Sequence, residues 1–106
     1  MGEFEQLVVL AILCLGSEAY GASIARALES GARRSVSRGA LYTTLDRLEE
    51  KGYVRWKLGK GGPERAHLPT RVYSVTAAGL TAIRSAQDVY RRMSRGLEHI
   101  LKVPQV

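Results

Sequence analysis

The sequence predicts a mostly helical α+β fold, in which three helices precede a two-stranded hairpin and a long helix follows it. Three observations carry this expectation. Apolar residues follow helical spacing in three segments before residue 52. The period then changes to two over Tyr53–Leu58, and a returning run at Arg71–Val75 follows a stretch rich in glycine and proline. From Thr76 to about Lys102 the helical spacing resumes.

The first helix covers Glu3–Leu15, a segment without glycine or proline. Leu7, Val8, Val9, Leu10, Ile12, Leu13 and Leu15 occupy most of its circumference. A helix apolar on nearly all sides is buried on more than one side, so this one packs on its own domain and on something else. Gly16-Ser17 ends it. A second helix follows from about Tyr20 to Glu29, with Ile24, Ala25 and Leu28 facing inward and Ser30-Gly31 as its stop. The third begins with Ser37 as N-cap. It places Leu41, Leu45 and Leu48 on one face, and Lys51-Gly52 closes it with a basic turn and a glycine.

Strands at Tyr53–Leu58 and Arg71–Val75 enclose a long loop, Gly59–Pro69, and Trp56 on the first strand is expected in the core. Thr76 is the predicted N-cap of the last helix. Along that helix Ile83, Ala86, Tyr90, Met93, Leu97 and Ile100 repeat at alternating spacings of three and four, a heptad seam. This order of elements is that of a winged helix-turn-helix. Residues 1–75 form the winged unit and residues 76–106 a C-terminal dimerisation helix. The seam and the all-round apolar first helix assign Leu7, Leu10, Ile83, Tyr90, Met93, Leu97 and Ile100 to a homodimer contact.

The 106-residue length fits one domain, and 45% hydrophobic residues mark a globular chain. The single cysteine, Cys14, rules out an internal disulfide and leaves no thiolate cluster for a metal. It lies in the apolar run of the first helix, where a reduced thiol acts as a small hydrophobe. That run is headed by Glu3 and Glu5 rather than by positive charge and is too short to span a bilayer, so a cytoplasmic protein is expected.

The formal net charge is +6, and it is localised. Between residues 33 and 71 stand ten basic residues against four acidic ones, while the rest of the chain balances six against six. The whole excess falls on the third helix, its approach and the hairpin. A helix and hairpin with concentrated positive charge fit a polyanion, nucleic acid first and an anionic membrane second. A membrane-binding chain would carry its basic residues along one amphipathic helix, which this one does not.

With its leucines facing inward, the third helix presents Gly39, Thr43, Asp46, Arg47 and Glu50 outward, flanked by Ala40 and Tyr42. Small residues let a helix backbone approach base edges. The hydroxyls of Ser37, Tyr42 and Thr43 can bond bases or phosphates, and the helix N-terminus attracts a phosphate. Arg38 and Arg47 add charge to this surface. The loop string Gly59–Arg65 lacks the spacing and setting of a nucleotide-phosphate loop. It reads as a basic wing in which Lys60 and Arg65 reach the DNA backbone or minor groove, with Arg71 at its base. These residues, Ser37, Arg38, Gly39, Tyr42, Thr43, Arg47, Lys60, Arg65 and Arg71, are the expected contacts to double-stranded DNA.

Three stretches resemble one family. Val36–Val54, VSRGALYTTLDRLEEKGYV, is similar to the recognition-helix signature of PadR-like regulators. Ala19-Tyr20-Gly21 resembles the opening of their second helix, and Tyr73–Gly79 resembles their wing-to-helix junction. The resemblance covers roughly residues 5 to 80. It implies a winged-helix domain that dimerises through its first and last helices and binds a palindromic operator, commonly to repress. It further implies DNA contacts from Ser37, Tyr42 and Thr43 on the reading helix and from Lys60 and Arg65 on the wing. Members often carry proline at the places of Arg38 and Thr43, and serine or threonine at that of Ala40. Those departures bear on the target sequence rather than on the fold.

Two other classes compete. An enzyme needs converging acid, base or nucleophile groups. His67 and His99 are far apart in sequence with no carboxylate–histidine motif, and Glu49-Glu50 reads as a solvated pair, so no catalytic residue, cofactor or metal is expected. A winged-helix module that binds protein, or nucleic acid without sequence preference, is the alternative to a specific regulator. A cleft between the first and last helices, near Tyr90 and Met93, is where a small-molecule effector would lodge. A Met and aromatic stripe at heptad spacing is more commonly plain core.

Overall fold

The computed structural model describes residues 1–60 and 68–102. Its elements are α1 (Glu3–Leu15), α2 (Gly21–Ala32), α3 (Arg38–Glu50), β1 (Val54–Lys60), β2 (Pro69–Val75), α4 (Ala77–Ser94) and α5 (Glu98–Leu101). One core joins them. Val8, Val9 and Ile12 of α1 meet Ile24 and Leu28 of α2, the three leucines of α3, Val54 and Tyr73 of the hairpin and Ile83 of α4. Burying that much branched aliphatic surface is the main favourable term holding the helices on the hairpin.

The predicted bounds of α1 hold. Its all-round apolar surface divides in two: Val8, Val9, Ala11 and Ile12 are buried, Leu7 and Leu10 are half-buried against the core, and Leu13 is exposed. Cys14 lies on the exposed side, so its surroundings are solvent rather than core. Gly16, at φ +58°, ends the helix, and a single tight turn, Gly16–Glu18, leads to the hairpin. There the Tyr73 N–H donates to the Ala19 carbonyl at 2.7 Å, and Tyr20 pairs with Val72. The chain thus adds a short third rung to the edge of β2, covering backbone groups that would otherwise be unpaired. The Ser23 hydroxyl accepts from the Tyr20 N–H at 3.0 Å and donates to the Glu18 carbonyl, closing the start of α2.

Helix α2 runs further than Ser30-Gly31. It continues through Gly31 to Ala32, and Arg33 takes the left-handed conformation at φ 51°. The N–H groups of Arg33 and Arg34 satisfy the Leu28 carbonyl. The Arg34 guanidinium stacks over Phe4 at 4.9 Å and pairs with Glu3 at 3.6 Å. Those long-range contacts hold the helix end against α1 and override glycine's weak local preference to stop, worth about 1 kcal/mol.

Helix α3 starts as expected, with the Ser37 hydroxyl accepting from the Ala40 N–H at 3.1 Å. Gly52, at φ +79°, turns the chain into β1. The hairpin pairs Val54 with Val75 and runs in register to Lys60 opposite Pro69, so each strand reaches two residues nearer the tip than the alternation indicated. Thr76 caps α4 by accepting from the Gly79 N–H at 3.1 Å, and donates to the Gly52 carbonyl at 2.6 Å. Gly79 is there for closeness: a Cβ would overlap the Tyr53 carbonyl oxygen.

The last helix is not continuous. α4 ends at Ser94, Gly96 adopts φ +84°, and α5 is a single turn. A glycine just after Arg91, Arg92 and Arg95 is a stop signal, and here it outweighs the heptad spacing that runs across it. The seam is therefore split. Ile83 is buried in the domain's own core, which corrects its assignment to a dimer contact. Tyr90 and Met93 are 78% and 75% exposed on the far half of α4, and Leu97 and Ile100 lie beyond the break, also exposed.

Candidate nucleic-acid interface

The outward surface of α3 is as the helical spacing requires. Gly39, Ala40, Thr43, Asp46, Arg47 and Glu50 are exposed, while Leu41, Leu45 and Leu48 are buried. Thr44 is buried too, with its hydroxyl donating to the Ala40 carbonyl at 3.0 Å. Ser37 and Arg38 are exposed at the N-terminal end. Tyr42 differs from its outward-facing neighbours. It is half-buried and laid across the start of α2, where its ring stands over Gly21. Beside it opens a groove of about 540 Å³ bounded by Tyr20, Gly21, Val36, Arg38, Tyr42 and Thr70. The first turns of α2 and α3 both border this groove, so two helix N-termini bring partial positive charge to one place.

The basic residues of the charged stretch divide into paired and unpaired. Lys51 bonds Glu5 at 2.9 Å and ties the end of α3 to α1. The Lys51 ammonium holds the Glu5 carboxyl below its usual pKa. Arg34 is committed to Glu3 and Phe4. Among the described residues, Arg38, Arg47, Arg55, Lys57 and Lys60 have no carboxylate partner and are exposed. Arg55 and Lys57 are cations the site assignment passed over. Both count in the charge excess of residues 33–71, while their alternation on β1 signals only a strand.

Arg71 occupies the junction of wing and reading helix. Its guanidinium lies 4.2 Å over the Trp56 ring. The Tyr73 hydroxyl beside it and the carboxylates of Asp46 and Glu49 raise its pKa. Burial pushes the Tyr73 hydroxyl up, and Arg71 opposes that shift. Trp56 is half-buried, packed against the core, and its indole Nε1 is buried without a hydrogen-bond partner among the described residues. Lys60 closes β1 on the wing. Arg65 and His67 lie outside the described residues, and His99 is exposed on α5. Among the described residues no group of three potential metal ligands gathers, and no helix is long and apolar enough to cross a membrane.

Comparison with known proteins gives the family and the fold. The profile of the "Transcriptional regulator PadR-like family" matches residues 9–85, which takes in the second half of α1, the helix-turn-helix, the hairpin and the first half of α4. This chain belongs to the PadR-like family. PadR-like regulators act on DNA rather than as enzymes, so the chain is a DNA-binding transcriptional regulator.

Solved structures share the winged-helix fold. A PadR-like transcriptional regulator from Bacillus cereus superposes with a TM-score of 0.74 at 19% identity, covering 95% of this chain and 93% of its own. A PadR-family regulator from Clostridium difficile gives 0.73 at 19% identity, covering 95% and 100%. One from Eggerthella lenta gives 0.67 at 24% identity, covering 96% and 88%. Curated proteins yield no match.

Proposed function

We propose that this PadR-like protein is a cytoplasmic repressor that binds a palindromic operator as a homodimer. The observation that carries the DNA-facing part is the grouping of exposed cations, without a carboxylate partner among the described residues, around the small-residue face of α3. Arg38 and Arg47 flank Gly39, Ala40 and Thr43, and Arg55, Lys57 and Lys60 continue the charge along the wing. Gly39 and Ala40 let the helix enter the major groove closely, with Thr43 and Arg47 at base edges. Ser37, Arg38 and the groove beside Tyr42 take backbone phosphates, and Lys60 with Arg65 serves the wing.

The dimer reading rests on the far half of α4. Val89, Tyr90 and Met93 are exposed there, Leu97, Ile100 and Leu101 are exposed beyond its end, and Leu13 is exposed on α1. A second copy covers this surface, Leu7 and Leu10 supporting it from α1. Residues 1–75 with the first turns of α4 then form the reading unit, and the rest of 76–106 the dimer arm. Two copies related by a two-fold axis set their reading helices about 34–36 Å apart, one turn of DNA. Occupying two successive grooves excludes other proteins from the site, which is how such a dimer represses.

The test is selection of bound duplexes from a random pool at about 0.15 M salt. An enriched inverted repeat, with half-sites about 10 base pairs apart, is the expected result. A pool that emerges unenriched overturns the operator reading.

A further inference from the structure

Trp56 is the only tryptophan of the chain, and its place in the hairpin is specific. It stands opposite Tyr73 in the register, with Leu58 opposite Arg71 two pairs nearer the tip. Paired residues share a face of a two-stranded ribbon, as do residues two apart. Val54, Trp56, Leu58, Val75, Tyr73 and Arg71 therefore line one face. Along it burial falls off from the core outward: Val54 and Tyr73 are buried, Trp56 is half-buried, and Leu58 and Arg71 are exposed. Arg71 thus lies diagonally across from Trp56, and its guanidinium folds back onto the indole at 4.2 Å.

This arrangement has two consequences. The guanidinium has no carboxylate partner within salt-bridge distance among the described residues. Its charge is therefore available to a further anion. A long exposed arginine normally samples many rotamers, and stacking on a ring that is itself fixed against the core removes most of that freedom before any partner arrives.

We propose that Trp56 is a positioning residue for DNA binding: it presents the Arg71 guanidinium, stacked and preoriented, to a backbone phosphate beside the wing. The proposal rests on the DNA-binding reading and deepens it. Trp56 itself touches no DNA. Its effect passes wholly through Arg71, which separates this role from a general contribution of the indole to wing stability.

A double-mutant cycle on a bound duplex tests it, read by affinity and by its dependence on salt. Arg71→Gln should flatten the slope of log affinity against log salt by about 0.9, the signature of one lost phosphate contact. Trp56→Leu should weaken binding about two- to five-fold in the wild-type background and leave the Arg71→Gln protein unchanged. Trp56→Phe, which keeps an aromatic face, should restore most of the loss. An additive cycle, or an unaltered salt slope in Arg71→Gln, overturns the proposal. Should Trp56→Leu unfold the domain, Arg71→Lys carries the test. It keeps the charge and loses the planar stack, so binding should still weaken, and wild-type binding would refute the role. A wild-type protein that shows no salt-dependent DNA binding would instead remove the underlying DNA reading.

Discussion

The Tyr42 hydroxyl fills the space into which a Cβ on Gly21 would project, with the ring's Cζ 2.9 Å from that point. The first turn of α2 is therefore the seat on which a side chain of the reading helix rests. Gly21→Ala should displace the far end of Tyr42 rather than any backbone. We expect the melting temperature to shift by no more than a few degrees while Tyr42 swings away from α2. Sequence preference on DNA should change at the base pair nearest Tyr42, by roughly 1–3 kcal/mol. Unchanged preference in a binding-site selection with this variant would mean that the seat of Tyr42 has no part in reading DNA.

Ser37 both caps α3 and stands at the proposed phosphate position. These two roles separate with one substitution. Aspartate caps a helix about as well as serine, but it places a carboxylate where a phosphate would approach. Ser37→Asp should keep its unfolding midpoint in urea while losing at least about ten-fold in affinity, an unfavourable change of about 1.4 kcal/mol. Ser37→Ala should do the reverse in part, costing about 0.5–2 kcal/mol of stability. Full DNA affinity in Ser37→Asp would place the phosphates elsewhere.

The Glu5–Lys51 pair joins α1 to the end of α3, and Lys51 holds the Glu5 carboxyl below its usual value of 4.5. A lowered folded-state pKa means the pair's stability is fully present above that usual value. It is lost as pH falls through the lower folded one. Lys51 is half-exposed, so screening keeps the contribution to about 0.5–1 kcal/mol. Glu5→Gln should be less stable than wild type by this amount at pH 7, and the gap should narrow as pH falls below 4.5. Urea unfolding at both pH values checks the sign.

Met93 is 75% exposed, so a charge there leaves the protomer's own packing intact. If α4 meets a second copy, Met93→Glu buries two carboxylates at the interface and should shift the protein to monomer in sedimentation at micromolar concentration. Affinity for an inverted repeat should fall by at least about ten-fold as the two half-sites become separate binding events. A variant that sediments like the wild type would place the dimer contact away from this helix.

Much of this was legible before any coordinates. Leu41, Leu45 and Leu48 share a face because their spacing leaves no other arrangement on a helix, and Ser37 and Thr76 cap because their hydroxyls precede helical runs. The alternation from Tyr53 to Leu58 announced a strand by the same kind of local rule. The charge excess between residues 33 and 71 marked the side proposed to face DNA, and it needed only arithmetic.

Local rules also compete, and sequence alone does not rank them. At Gly31 the stop signal lost, because Arg34 reaches Phe4 and Glu3 on another helix. At Gly96 it won over the heptad spacing, because residues beyond Ile83 on α4 have no core to hold them in line. Which cations remain available to DNA was likewise decided between elements, by Glu5 meeting Lys51 and Trp56 lying under Arg71. Periodicity, capping and charge are properties of neighbours along the chain, so the sequence by itself determined the elements, their order and where the positive charge is concentrated. Pairings between residues far apart in sequence depend on how the helices and hairpin close on one core, and only the tertiary structure decided those.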